Sequence, residues 1–157
     1  MTSSMTSSAF SRRVVPFANA ADRCLVFDPG YAWRKVVTEK LESFIQLPAG
    51  WDGYSGVPVS LAVANFALNM LDVVCAPDAD TPQVVPGPAG DVQIEWHTLE
   101  ADIELHVIQP NRVSAWRRTV DGPPEGEMLE LTVDFRTVAR WVGELMGADV
   151  AAGIAAA

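Results

Sequence analysis

The sequence predicts an α+β domain built from two N-terminal helices, an antiparallel meander of three to five strands, and a C-terminal helix packed on one sheet face. Three observations predict it. Apolar residues recur at helical spacing over 31–47 and again from Leu61 to Cys75. They alternate with polar ones from Asp91 to Pro110 and from Met128 to Phe135. Helical spacing then returns from Val138 to Met146. Helices and strands therefore fall in separate runs instead of βαβ units, which leaves one sheet face covered and the other free for solvent or binding. With 157 residues and 49% apolar composition, the chain is long enough to bury about two-thirds of its unfolded surface in one core. The expected organisation is a disordered lead at 1–12, a single domain over 13–147, and a frayed tail over 148–157.

Met1 to Ser8 repeats Met-Thr-Ser-Ser twice and offers nothing to bury, hence the disordered lead. Val14, Val15 and Phe17 suggest a short extended segment, and Leu25 to Phe27 a strand or loop that ends at Asp28-Pro29-Gly30. Over 31–47, Trp33, Val37, Leu41, Phe44 and Ile45 form one apolar stripe that Pro48 stops. Gly50 to Pro58 is a glycine-rich loop in which Asp52 bonds forward to backbone N–H groups while Trp51 and Tyr54 plug the core or a neighbouring cleft. Ser60 is placed to cap the second helix, whose stripe is Leu61, Ala64, Leu68, Leu71 and Val74 or Cys75. Gln83 to Val85 reads as a short strand, followed by a turn over Pro86 to Gly90.

The central hairpin comes next. Val92, Ile94 and Trp96 alternate with Gln93, Glu95 and His97, and Ile103, Leu105 and Val107 alternate with Asp102, Glu104 and His106. Pairing the two apolar sets puts Gln93, Glu95 and His97 on one face with Asp102, Glu104 and His106, because a one-residue slip would expose an entire apolar set, and the simplest such register sets Glu95 opposite Glu104, His97 opposite Asp102 and Gln93 opposite His106. Val113 to Val120 is a further strand, with Trp116 and Val120 on one parity and Arg117 and Thr119 on the other. From Met128 to Phe135, Leu129, Leu131, Val133 and Phe135 face one way and Glu130, Thr132 and Asp134 the other. Asp134 or Thr137 caps the last helix, Val138, Trp141, Val142, Leu145 and Met146 form its stripe, and Gly147 is its expected stop.

Leu47-Pro48-Ala49-Gly50-Trp51-Asp52-Gly53-Tyr54, taken with Ile94-Glu95-Trp96-His97 and Ile103-Glu104-Leu105, resembles a group of small uncharacterised bacterial proteins with a GWDGY loop and an LEWH-type strand. The similarity spans roughly residues 36 to 108. It implies no particular chemistry. In size and layout the chain is similar to accessory or antitoxin-like proteins of bacterial defence modules.

Eleven Lys and Arg stand against 20 Asp and Glu, a net charge of -9, which repels a phosphate backbone and favours a basic partner. Direct nucleic-acid binding is not expected. Cys24 and Cys75 match no metal or redox spacing, and no apolar run approaches the roughly 20 residues of a membrane helix, so the expected setting is cytoplasmic without membrane contact. Partner-binding candidates are Glu95, His97, Glu104, His106, Glu130 and Asp134, an acidic set on the outer sheet face. Four of these, Glu95, His97, Glu104 and His106, also have the donor types of a zinc-like site. Trp51, Asp52 and Tyr54 form a loop read as a structural clasp or a ligand-reading element. Arg117 and Arg118 beside Trp116 make a basic spot or a charge-protected strand edge. No nucleophile elbow or phosphate-binding glycine motif occurs. The leading expectation is a noncatalytic protein-binding module with no cofactor that neutralises or assembles with a basic protein. The alternatives are a metal-dependent enzyme at the His/Glu face and an acidic mimic of nucleic acid.

Overall fold

A computed structural model of the protein describes residues 31–155, with side-chain surroundings described as far as residue 147. The expected lead at 1–12 and the segments around Val14 and Val26 lie outside the described residues. The fold is α+β. Its elements are α1 (Ala32–Ile45), α2 (Leu61–Val74), β1 (Gln83–Pro86), β2 (Val92–His97), β3 (Ala101–Gln109), β4 (Arg112–Thr119), β5 (Glu127–Leu131) and α3 (Arg136–Ala155). The five strands form one antiparallel meander in the order β1-β2-β3-β4-β5.

Alternation in the strands builds the core. Val92 and Ile94 on β2, Ile103, Leu105 and Val107 on β3, and Val113 and Ala115 on β4 are all fully buried. α2 lies on β2 and β3, α3 on β3, and α1 packs on α2 and reaches β1. Trp33, Val37 and Leu41 from α1, Leu68 and Leu71 from α2, and Val138, Trp141 and Val142 from α3 close the core from above. Each side chain of this size contributes about 1.5–3 kcal/mol by leaving water, which outweighs any local propensity.

Polar contacts fix how the helices sit. The Trp33 indole Nε1 donates to the Ala76 carbonyl at 3.0 Å. Arg34, buried on α1, forks onto Asp72 of α2 at 2.8 and 3.1 Å, so its charge enters the helix interface already paired. Ser60 caps α2 as its sequence position suggests, its Oγ accepting the Val63 N–H at 3.2 Å. Cys75 at the end of α2 is a buried free thiol, pushed up to about 12 by burial first and by the charge of Asp72 second. It therefore stays protonated and poorly nucleophilic.

Several local expectations are corrected. β5 stops at Leu131, so Val133 is 71% exposed and does not continue the inward set, whereas Phe135 still buries against Phe66 as the chain turns into α3. α3 runs through Gly147 to Ala155, so the backbone of 148–155, expected as a frayed tail, is helical. One glycine costs about 1 kcal/mol in a helix, and the alanines that follow are the strongest helix formers. Tyr54 does not plug the core either, being 89% exposed. Val120 lies beyond the end of β4, and Arg117 shares the core-facing parity of Val113 and Ala115.

Candidate functional site

Alternation that sends apolar residues into the core sends a second set of side chains to the opposite face, which no described helix covers. Their rows follow from the register. His97, Asp102 and Arg118 form one row across β2, β3 and β4. Gln83, Glu95, Glu104, Trp116 and Met128 form the next, spanning all five strands. Val85, Gln93, His106, Ser114 and Glu130 form the third. The pairs Glu95–Glu104, His97–Asp102 and Gln93–His106 are those of the simplest register.

The first row is an ion-pair chain. His97 shares Nδ1 with Asp102 and Nε2 with Glu95, each at 3.0 Å, and Arg118 Nη2 donates to the other Asp102 oxygen at 2.6 Å. Hydrogen bonding to Asp102 first and to Glu95 second raises the His97 pKa, while His97 and then Arg118 hold the Asp102 carboxyl below its ordinary range. The two signs predict opposite pH windows. His97 contributes stability in full below its unfolded value of about 6.5 and loses that contribution as pH rises through the raised folded value. Asp102 contributes above its unfolded value of about 3.9 and loses that contribution as pH falls through the lowered folded value. The imidazole is half exposed, so solvent screens the pair and the effect is small. Urea midpoints should fall slightly between pH 6 and pH 8.5 in the native chain. A His97→Gln variant should lose that slope, and a slope that survives the substitution would contradict the pairing.

At the other end of the face, His106 Nε2 meets Asp91 Oδ2 at 2.5 Å, and the other Asp91 oxygen accepts the Ala89 N–H at 3.0 Å. Asp91 is buried, and its role is absent from the sequence reading. A signal was nonetheless present: it precedes β2 with the parity of Gln93 and so lies on the His106 side of the outer face.

Between the two ends is a groove of about 470 Å³ lined by Gln93, Glu104, His106, Ser114, Trp116 and Met128. Trp116 is half-buried, with its Nε1 donating to the Glu125 carbonyl at 2.9 Å, and Met128 is 69% exposed. Glu104 forms no ion pair or hydrogen bond among the described residues.

The candidate metal ligands Glu95, His97, Glu104 and His106 do not converge. The register separates the two histidines by two rows, and carboxylates already occupy both nitrogens of His97 and Nε2 of His106. Among the described residues, no three His, Cys, Asp or Glu side chains are grouped as a metal ion requires. Of the other partner-binding candidates, Glu130 is exposed on the outer face of β5. Asp134 is not on the sheet. It lies past the end of β5, where the Arg136 side chain and then the Arg136 N–H hold it down to about 2. The basic spot also divides: Arg117 reaches Glu144 at 2.8 Å and lies over Trp141, whereas Arg118 lies over Trp116 on the outer face.

The Trp51, Asp52 and Tyr54 loop forms a clasp. Asp52 Oδ1 accepts the N–H groups of Tyr54 and Gly56 at 2.9 and 2.8 Å, and these two bonds, Tyr54 first, lower its pKa. Trp51 Nε1 donates to the Val57 carbonyl at 3.1 Å, and the Val57 N–H donates to the Pro88 carbonyl at 3.0 Å. Gly53, at φ 84°, supplies the left-handed step the tight loop needs. The clasp therefore anchors to the turn between β1 and β2, just before Asp91. Among the described residues no helix is long and apolar enough to cross a membrane. No protein-family model, curated protein or solved structure matches the chain.

Proposed function

We propose that this chain is a noncatalytic protein-binding module whose outer sheet face captures a basic protein. The observation that carries the reading is the central pair of glutamates. Glu95 and Glu104 are directly opposed on neighbouring strands, half-buried, and Glu104 has no cation beside it among the described residues. Like charges directly opposite each other destabilise a sheet, so a cation brought by a partner would relieve a cost already built into this face. Lack of a covering helix among the described residues, an exposed Met128 and the net charge of -9 support the same reading. A toxin or nuclease of a bacterial defence module is the kind of basic partner that fits, and a cytoplasmic setting suits the buried thiol of Cys75.

Replacing both Glu95 and Glu104 by glutamine keeps shape and removes two charges. It is expected to weaken capture of the basic partner about a hundredfold, since each fully desolvated charge pair lost from an interface costs about 1.5 kcal/mol or more. Native capture should also weaken as salt rises from about 50 to 500 mM, because screening acts on the same charges. Capture that is indifferent to both substitutions and to salt would reject the reading.

A further inference from the structure

We infer that the groove on the outer face is a slot for an arginine side chain of the partner, with Glu104 as its charge partner and Trp116 as its stacking wall. The inference rests on the protein-binding reading and names the group that this site recognises.

One row away, the chain builds the same kind of contact from its own residues. The Arg118 guanidinium lies 5.7 Å from the centre of the Trp116 ring while donating to Asp102 at 2.6 Å, a carboxylate, a guanidinium and an indole in one arrangement. Arg118 lies on the His97 side of Trp116. The groove opens on the other side, toward Ser114 and His106. There Glu104, the cross-strand partner of Trp116, presents the second carboxylate next to the same indole. Met128, opposite Trp116 on β5, adds an apolar wall for the methylene stem of a long side chain.

The chemistry of the lining selects the ligand. An anion would meet Glu104, and a purely apolar side chain would bury that carboxylate without a partner. A guanidinium satisfies both walls at once, because it is planar, stacks on an indole face and donates in a fork to a carboxylate. Lysine offers a compact, strongly hydrated charge that matches the carboxylate but gains little from the ring. The polar ends of Gln93 and Ser114 remain to accept the guanidinium N–H groups that Glu104 does not take.

The test uses the full chain and two blocked tripeptides, Gly-Arg-Gly and Gly-Lys-Gly, with the Trp116 indole N–H and the Met128 methyl followed by NMR. The arginine peptide should shift both signals saturably. Its affinity should exceed that of the lysine peptide several-fold and fall about tenfold in Glu104→Gln, the scale of one charge-assisted pair. Glu39→Gln, an exposed change on α1, should leave it unaltered. Equal response to both peptides, or binding unaffected by Glu104→Gln, overturns the slot. If the arginine peptide does not bind while capture of the basic partner still depends on Glu95 and Glu104, the slot alone is wrong. If capture ignores both glutamates, the protein-binding reading beneath it is wrong.

Discussion

Replacing Trp33 by alanine is expected to remove about 3–5 kcal/mol of folding stability, the range for deleting a fully buried large aromatic. Trp33 has no solvent exposure, stacks on Tyr31 with ring centres 6.1 Å apart, and ties α1 to the end of α2 through its indole bond to Ala76. Alanine would leave a cavity between two helices and strand the Ala76 carbonyl. A single domain has only about 5–15 kcal/mol to lose, so the variant should approach the edge of folding at room temperature. Urea denaturation checks this: the midpoint should drop sharply with little change in slope. A loss under about 1 kcal/mol would mean that Trp33 is not the centre of the helix contact.

Gly126→Ala is the second large effect, and it links the fold to the groove. Gly126 sits at φ 75°, and an added Cβ would lie 2.5 Å from the Arg117 carbonyl oxygen and 2.6 Å from the Trp116 Nε1. A left-handed backbone costs an L-residue about 1–2 kcal/mol, and overpacking adds about 1–3 kcal/mol, so a total of about 2–5 kcal/mol is expected. The position of Trp116 should change too, because the new methyl displaces the indole from its bond to Glu125. Urea unfolding measures the first effect, and the indole N–H shift of Trp116 measures the second. An unchanged shift together with unchanged stability would contradict the tight approach of the β4–β5 loop to the indole.

How far the site was legible depends on how each strand is joined to the next. The β2–β3 register was readable because both strands alternate strictly, a one-residue slip would expose an apolar set, and the pairing formed is the simplest of those that keep both sets inside. The row through Trp116 was not. Counting back from the Pro110-Asn111 turn, where Gln109 pairs Arg112, would set Glu104 opposite Arg117 and turn Val113 and Ala115 outward. A bulge between Val107 and Gln109 adds one residue to β3, turns β4 over, and brings Trp116 beside Glu104. Asn111 takes the accompanying positive φ of 62°. No periodicity within β4 announces this, because Trp116 is apolar and faces out while Arg117 is charged and faces in, its charge met by Glu144 and the Trp141 ring.

Asp134 was misplaced for a related reason. Alternation continues through Phe135, but β5 ends at Leu131 and Asp134 instead accepts the Arg136 N–H at the entry to α3. Period-2 spacing reports which way side chains point along an extended chain and is silent on where the last partner strand stops. Asp91 was passed over because it lies one residue before β2, although parity placed it on the face of His106.

The central claim is that the carboxylates at the middle of the outer face, and not the general acidity of the chain, hold a basic partner. The most direct measurement is the dissociation constant for the captured partner in Glu95→Gln/Glu104→Gln beside Glu39→Gln/Asp78→Asn, an exposed pair away from the outer face that removes the same formal charge. About a hundredfold weakening is expected from the sheet pair and less than about twofold from the exposed pair, because exposed charges are screened and add little. Equal weakening by both pairs, or none by the sheet pair, would contradict the claim.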